Sequence, residues 1–469
     1  MIAMTIREIA DAVGGEILSA EHVDDSTVIS GFVDTDSRNI EPGDVFVAKP
    51  GEFTDGHLFA ESAVENGAVL CLVEREVPEA AVPQIRVPDV VTALGDLARE
   101  NISRARAQGT LTELAVTGSN GKTTTKNLLR EIFEPLGETV APRASFNNEV
   151  GGPVTFLRVN ESTRYLVAEM GASAGGEIRR LVSMAKPDVG IVLMVGLAHA
   201  GEFGGIEQTA RAKTEMVTDL DADGFAVLNR DDPRVAAMAE HTRAQVIWFG
   251  RTEEADVRAT DIRTSLSGTE FTLHLPDTDP LPIRFGVIGE HHVTNALAAA
   301  AAAHTQGVGA DRIRTALESV TRAEQGRMEV LTAGPITIIN DAYNASPDSM
   351  AAGLRTLAQI AGDEHRTVAV LGEMTELGDA SRDEHERIGE LAVRLGIDQL
   401  VVVGEGAKAL HLGAVAQGSW DGESVHATDS DAAYDLLVRE LRDGDIVLVK
   451  SSNASGLAKL AEQLGEHYA

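Results

Sequence analysis

The segment with the clearest chemistry is Thr117-Gly118-Ser119-Asn120-Gly121-Lys122-Thr123-Thr124. It follows an apolar run, Thr112 to Thr117, that reads as a buried strand, and it leads into helical spacing from Lys122. A glycine-rich turn between a strand and a helix aims successive backbone N–H groups at one point, where the helix N-terminus also favours negative charge. Phosphate is the ligand such a turn holds. Lys122 is then placed to reach terminal phosphates, and Thr123 to hold Mg²⁺. The strict G-x-x-x-x-G-K pattern wants a glycine where Val116 stands, so the loop is a variant.

Further candidates stand where apolar runs end. Glu169 and Gly171 close Tyr165-Leu166-Val167-Ala168-Glu169-Met170-Gly171, and His199 follows Val195-Gly196-Leu197-Ala198. In open parallel sheets ligands gather at the carboxyl ends of strands, so Glu169 reads as a Mg²⁺ ligand beside Thr123, and His199 as a further metal ligand or a phosphate contact. Taken singly, each reads as well as a polar loop residue. Spacing alone makes Lys213 a solvated helix lysine. Asp341, Tyr343 and Asn344 follow another apolar run, where Asp341 suits a ribose hydroxyl or an amine, or the segment is a polar turn capping the next helix.

The elements that must position these groups alternate along the chain. Helical spacing at 5–13 with Thr5 as N-cap, a strand at 45–48, a helix at 59–66, a strand at 68–73 and a helix at 90–107 form a small α/β unit. The polar stretch 104–109 marks a linker. Strands at 112–117, 164–169, 188–195, 224–228 and 245–249, with helices between, predict a mostly parallel sheet covered by helices. Short alternating runs at 256–288 predict added antiparallel strands, and an alanine-rich helix follows at 292–304. Near 325 the pattern restarts, with strands at 335–340, 367–371, 399–403 and 446–449. The expected fold is α/β in three domains, 1–109, 110–325 and 326–469: a central P-loop-type sheet flanked by helices, a smaller N-terminal α/β domain and a C-terminal Rossmann-like domain.

Bulk composition excludes several classes. A net charge of −33 opposes non-specific nucleic-acid binding and adhesion to anionic membranes, both of which need Lys and Arg. Aromatics are only 4%, so burial rests on Val, Ile, Leu and Ala, as in buried parallel sheets. The single cysteine, Cys71, excludes an intrachain disulfide and reads as a small core residue. No signal-peptide pattern or spanning apolar segment is present, the longest candidate being 189–198. A cytoplasmic protein is expected, with no nucleic-acid partner and no membrane insertion.

Together these segments resemble the Mur ligase family over nearly the whole chain. The 117–124 loop is similar to the family's ATP loop, which accounts for Val116, and Asn147-Asn148-Glu149-Val150-Gly151-Gly152-Pro153 is similar to its substrate segment. His291-His292-Val293-Thr294-Asn295-Ala296 resembles its adenine-contacting helix start, and Gly326-Arg327-Met328 its hinge arginine segment. Asp341-Ala342-Tyr343-Asn344-Ala345 and Leu371-Gly372-Glu373-Met374-Thr375-Glu376-Leu377-Gly378 match best those members that add D-alanyl-D-alanine to UDP-N-acetylmuramoyl-tripeptide. Near the N-terminus, Asp34-Thr35-Asp36-Ser37-Arg38 and Asp55-Gly56-His57 resemble the UDP-sugar domain.

The resemblance implies an ATP- and Mg²⁺-dependent ligase, acting as a monomer. It implies catalytic roles for Lys122, Lys213 and His199, with Lys213 aligned to a lysine the family can carbamylate. Thr117 to Thr124, Asn295, Arg327 and Asp341 would hold the nucleotide, and Ser37, Arg38, Asn147, Asn148, Tyr343 and Asn344 the substrates. Thr123, Glu169 and His199 would hold the metal. One position departs: Asn453 stands where the family commonly has arginine. The chemistry implied is activation of a carboxylate as an acyl phosphate, followed by attack of an amine.

Overall fold

A computed structural model describes residues 1–18, 24–51, 54–142, 145–197, 201, 204–418 and 423–469. Its three larger sheets are built, in chain order, from strands within 16–86, 112–285 and 329–450. The expected α/β class, with a central mostly parallel sheet, is what the protein adopts.

The N-terminal part contains β1 (Met4–Thr5), α1 (Ile6–Val13), β2 (Glu16–Ile17), β3 (Val28–Ile29), β4 (Val33–Asp34), β5 (Val45–Val47), α2 (Ala60–Asn66), β6 (Leu70–Val73), β7 (Gln84–Arg86) and α3 (Val90–Ala107). Thr5 caps α1 as expected, in a capping box with Glu8. Strands β2, β7, β6, β5 and β4 form a five-stranded sheet in that order. Cys71 lies fully buried in β6, and burial pushes its thiol up to about 12, so it is an inert core group.

The helix expected at 90–107 is present with the same bounds, and the polar stretch 104–109 forms its last turn and the short connection that follows. Helix α3 runs through Ala107, and Arg104 and Arg106 lie in its last turn. Arg106 bonds to Glu113 at 3.0 Å and to Asp188 at 2.8 Å, so charges that read as linker polarity fasten α3 to the central sheet. The apolar side of α3 (Leu94, Leu97, Ile102) shares one hydrophobic core with Phe156, Leu181 and Val192.

The central part contains β8 (Thr112–Thr117), α4 (Lys122–Phe133), β9 (Thr139–Val140), α5 (Gly151–Phe156), β10 (Tyr165–Glu169), α6 (Glu177–Ala185), β11 (Val189–Val192), α7 (Ile206–Thr218), β12 (Phe225–Asn229), α8 (Pro233–Ala237), β13 (Gln245–Gly250), β14 (Val257–Ser265), β15 (Gly268–His274), β16 (Leu281–Phe285), α9 (Glu290–Thr305) and α10 (Ala310–Ser319). The nine-stranded order is β16-β15-β14-β13-β12-β11-β8-β10-β9. It is parallel from β9 to β14 and antiparallel through β15 and β16, as the alternating runs predicted. Strand β8 lies between β10 and β11, so the order in which strands are added switches sides there and a crevice opens at its carboxyl end. The alanines of α9 from 298 to 303 are completely buried, and their small side chains let the helix seat closely on the sheet.

The C-terminal part contains β17 (Glu329–Ala333), β18 (Thr337–Asn340), α11 (Pro347–Ala361), β19 (Thr367–Leu371), α12 (Ser381–Arg394), β20 (Gln399–Val403), α13 (Lys408–Ala416), β21 (Ser424–Ala427), α14 (Ser430–Glu440), β22 (Ile446–Lys450) and α15 (Leu457–Tyr468). Its six-stranded order, β17-β18-β22-β19-β20-β21, inserts the last strand between β18 and β19. Only β17 is antiparallel. Besides the short N-terminal strands β1 to β4 and β7, strands β9, β17 and β21 were not expected. Each lies at or beside a sheet edge, where a short segment becomes a strand through its neighbour rather than its own pattern. No helix among the described residues is long and apolar enough to cross a membrane.

Candidate active site

The carboxyl ends of β8, β10, β11 and β12 open onto a cavity of about 1030 Å³ whose far wall belongs to the C-terminal domain. The 117–124 loop forms its floor. Gly121 sits at φ 87° in the left-handed region, which turns the chain sharply into α4. No side chain caps α4, so its first N–H groups face the cavity unclaimed by a cap, as anion binding requires. Lys122 Nζ bonds back to Gly118 O at 2.8 Å, so the loop places its own cation at the helix start. Burial draws the Lys122 ammonium below the usual lysine range, and the charge of Glu169 opposes that. Ser119, Asn120, Gly121, Lys122, Thr123 and Thr124 line the cavity. Thr117 and Gly118 do not: Thr117 is fully buried in β8, and Gly118 packs against Leu193.

Glu169 ends β10 with 2% of its surface exposed. Asn147 Nδ2 donates to its Oε1 at 2.8 Å, while Oε2 has no hydrogen-bond partner among the described residues. A buried carboxylate oxygen left open in a cavity suits a cation. Thr123 Oγ1 lies 3.1 Å from Ser145 Oγ and accepts from the Arg327 guanidinium at 3.1 Å. No group of three His, Cys, Asp or Glu side chains converges among the described residues. A sparse protein ligand set fits Mg²⁺, which keeps water and phosphate oxygens around it. His199, the other expected metal ligand, lies outside the described residues.

At the start of α9, the rings of His291 and His292 lie with centroids 4.2 Å apart and planes tilted by 41°. Burial holds His291 down to about 4 and His292 well below the usual histidine range, so both rings are neutral. Asn295 packs over the floor loop: a Cβ on Gly121 would stand 2.2 Å from its Oδ1. Lys213 is 3% exposed on α7 and lines the same cavity. This overturns the solvated-lysine reading, because spacing cannot tell which face of a helix a neighbouring element covers.

From the C-terminal side, Asp341 Oδ2 accepts from Lys450 Nζ at 2.7 Å, and its Oδ1 accepts from Met328 N at 3.1 Å. The parallel register of β18 with β22 sets Asp341 beside Lys450. Lys450 was missed as a site residue, although it ends an apolar strand just as Glu169 does. The expected cap of the following helix is supplied by Ser346, in a capping box with Ser349. Ser346 Oγ also accepts from Asn120 Nδ2 at 3.2 Å, across the domain boundary. The Tyr343 hydroxyl donates to Ser145 Oγ at 3.0 Å, and the Arg327 guanidinium lies 4.2 Å from the Tyr343 ring centroid. Asn344 lines the cavity, and its backbone carbonyl accepts from Lys450 Nζ at 3.1 Å.

Other expected residues stand apart or serve the backbone. Asn148 Oδ1 accepts from Gly151 N at 2.9 Å and so starts α5. Ser37 is buried in the N-terminal domain, and Arg38 is exposed and paired with Asp36 at 2.6 Å; neither lines the cavity. Asn453 is exposed in a single helical turn before α15.

Comparison with known proteins gives the same parts in the same order. Residues 30–101 match the model for the Mur ligase family catalytic domain, 116–303 the Mur ligase middle domain, and 326–453 the Mur ligase glutamate ligase domain. The UDP-N-acetylmuramoyl-tripeptide–D-alanyl-D-alanine ligase of Mycobacterium tuberculosis is 44% identical, over 99% of this chain and 98% of that one. This chain belongs to the Mur ligase family. Among solved structures, MurF from Acinetobacter baumannii superposes with a TM-score of 0.89 at 33% identity, covering 99% of each chain. MurF ligase from Thermotoga maritima, solved in complex with ADP, superposes with a TM-score of 0.81 at 27% identity, covering 94% of this chain and 99% of that one. The Mur ligase resemblance read from the motifs therefore holds over the full length. Asn453 is the last residue that the C-terminal family model matches.

Proposed function

We propose that this chain is the ATP-dependent ligase that joins D-alanyl-D-alanine to UDP-N-acetylmuramoyl-tripeptide, giving ADP and phosphate, in cytoplasmic peptidoglycan precursor synthesis. The observation that carries the reading is one cavity with two different walls. One wall is the uncapped start of α4 with Lys122, facing the open oxygen of Glu169. The other is the Asp341–Lys450 pair of the C-terminal domain. Phosphate chemistry and a second reactant's domain thus meet in one space.

Bound ATP with Mg²⁺ supplies the phosphoryl group and offsets its charge. The tripeptide carboxylate takes the γ-phosphoryl group as ADP leaves, and the D-alanyl-D-alanine amine then displaces phosphate from the acyl carbon. Lys122 and the first N–H groups of α4 would bind phosphate oxygens. Glu169, oriented by Asn147, would hold Mg²⁺ with Thr123 and His199, and Asn295 and Arg327 would hold the nucleotide. Asp341 is committed to Lys450, so the pair acts as a unit toward ribose or amine. Tyr343, Asn344, Asn147 and Asn148 border the acyl acceptor's path, and Ser37 and Arg38 belong to the UDP end. The domains 1–109, 110–325 and 326–469 would divide these roles, and closing the central and C-terminal domains over the one cavity they line would exclude water from the acyl phosphate. The chain would work as a monomer without nucleic-acid or membrane partners.

The test is ATP-dependent phosphate release with UDP-N-acetylmuramoyl-tripeptide and D-alanyl-D-alanine, run with diaminopimelate- and lysine-containing tripeptides. Release that requires both reactants, with the amide product seen by mass spectrometry, is expected with one tripeptide or both. Release with a different amine but none with D-alanyl-D-alanine overturns the reading.

A further inference from the structure

Residues 193–197 leave β11 and run beside the nucleotide loop, and nearly all of their hydrogen bonds stay within the central domain. Leu193 O accepts from Asn229 Nδ2 at 2.8 Å, and Met194 O accepts from Ser119 N at 2.9 Å. Val195 N donates to Asp232 Oδ2 at 2.8 Å, and Gly196 N to Ser119 Oγ at 2.8 Å. Leu197 N differs. Its acceptor is Asp348 Oδ2 at 2.9 Å, in the first turn of α11 in the C-terminal domain.

Gly196 makes that approach possible. Its backbone is not in the left-handed region, so its conformation does not call for glycine. A Cβ there would stand 2.2 Å from Asp348 Oδ2, and the next neighbour outside Asp348, the flexible end of Met194, lies at 3.1 Å. Space for the incoming carboxylate is therefore what glycine provides. The same arrangement recurs at Gly201, whose N–H donates to Glu376 O at 3.1 Å and whose Cβ would meet that oxygen at 2.7 Å.

We propose that Asp348 is a positioning residue for the ligase reaction, an inference that rests on the function proposed above. Docking of the C-terminal domain brings its carboxylate to Leu197 N–H and holds the 193–197 strap against the nucleotide loop through Ser119. A backbone N–H beside a cavity needs an acceptor, and here the second reactant's domain supplies it. The phosphate-binding loop thus has its full support only when that domain is in place, which ties formation of the acyl phosphate to the presence of the domain that consumes it.

The test compares Asp348→Ala, Asp348→Asn and Gly196→Ala in the full chain, by backbone amide hydrogen exchange and by steady-state kinetics. In Asp348→Ala, Leu197 N–H is expected to lose protection, Gly196 N–H, which bonds to Ser119 Oγ, to lose part of its own, and Val195 N–H, held by Asp232, to keep its own. The same variant is expected to lose about tenfold in kcat, the scale of one hydrogen bond to a charged acceptor, with KM for the UDP-tripeptide unchanged. Asp348→Asn keeps an oxygen acceptor and is expected to retain both protection and most of kcat. Gly196→Ala is expected to reproduce Asp348→Ala without touching α11. Unchanged protection of Leu197 in Asp348→Ala overturns the proposal. So does Asp348→Asn as impaired as Asp348→Ala, which would make the carboxylate charge the active feature. If the wild type releases no phosphate, the ligase reading fails by itself, and the exchange data still decide the Asp348–Leu197 bond.

Discussion

At Lys213 the burial of the side chain and its charge are in conflict. It is 3% exposed, and among the described residues its amine has no hydrogen-bond or ion-pair partner. Burial, aided by the charge of Lys122, holds its ammonium well below the usual lysine range. A neutral amine is the form that adds carbon dioxide, and a carbamate would turn that unpaired amine into a carboxylate facing the proposed metal site. Lys213→Ala is accordingly expected to lower kcat on the order of 10- to 100-fold, the usual cost of losing a group that supports a metal. Acetate or formate should restore part of the activity by filling the vacated space with a carboxylate. No rescue, together with full wild-type activity after removal of bicarbonate and no carbamate mass on Lys213, would refute the modification.

Among the elements, the junction of β8 and α4 carries the tightest constraint. Gly121 combines a left-handed backbone with a neighbour that would lie 2.2 Å from any Cβ, the Asn295 Oδ1 on α9. The two helices that border the cavity thereby approach each other through the space of a missing side chain. Gly121→Ala is expected to cost about 1–2 kcal/mol from backbone strain alone. It should also push Asn295 off the loop and weaken ATP binding. Calorimetric titration with ATP and a melting curve check both halves; an alanine variant with wild-type affinity would show that the loop and α9 adjust freely.

Over the whole molecule, the N-terminal and central domains are joined by one core and by the cluster of Arg106, Glu113 and Asp188. Glu113 is 1% exposed and its Oε2 has no hydrogen-bond partner among the described residues. Burial raises its carboxyl well above the usual carboxylate range, and Arg106 offsets that only in part. The native state therefore holds this proton more tightly than the unfolded chain does. The stability linked to it is fully present below the ordinary value of 4.5 and falls as pH rises from there toward the raised native value. Glu113→Gln keeps an acceptor for Arg106 and has no proton to lose. The melting temperature of Glu113→Gln minus that of the wild type is expected to grow as pH rises across that window. A difference that stays flat with pH, or shrinks, would mean that Glu113 is ionised at no cost in the fold.

Much of this was legible locally. A phosphate loop is contiguous, so its residues and its variant at Val116 could be read directly, as could the α/β alternation, the Thr5 cap and the polar groups at the ends of β10 and β18. Family motifs extended that reading to Asn295, Arg327 and the incoming reactants. Strand order was not legible, because it depends on which apolar strands pair. Only the sheet shows that β8 lies between β10 and β11, and that β22 enters beside β18 and brings Lys450 to Asp341. The burial of Lys213, the fastening role of Arg106 and the reach of Asp348 over Gly196 to Leu197 have the same cause. Each joins groups far apart in the chain, and no local pattern of charge or hydropathy encodes such a partner. The sequence by itself determined the class of chemistry and the loop proposed to perform it; the tertiary structure decided which distant side chains support that loop, because their positions follow from packing rather than from spacing.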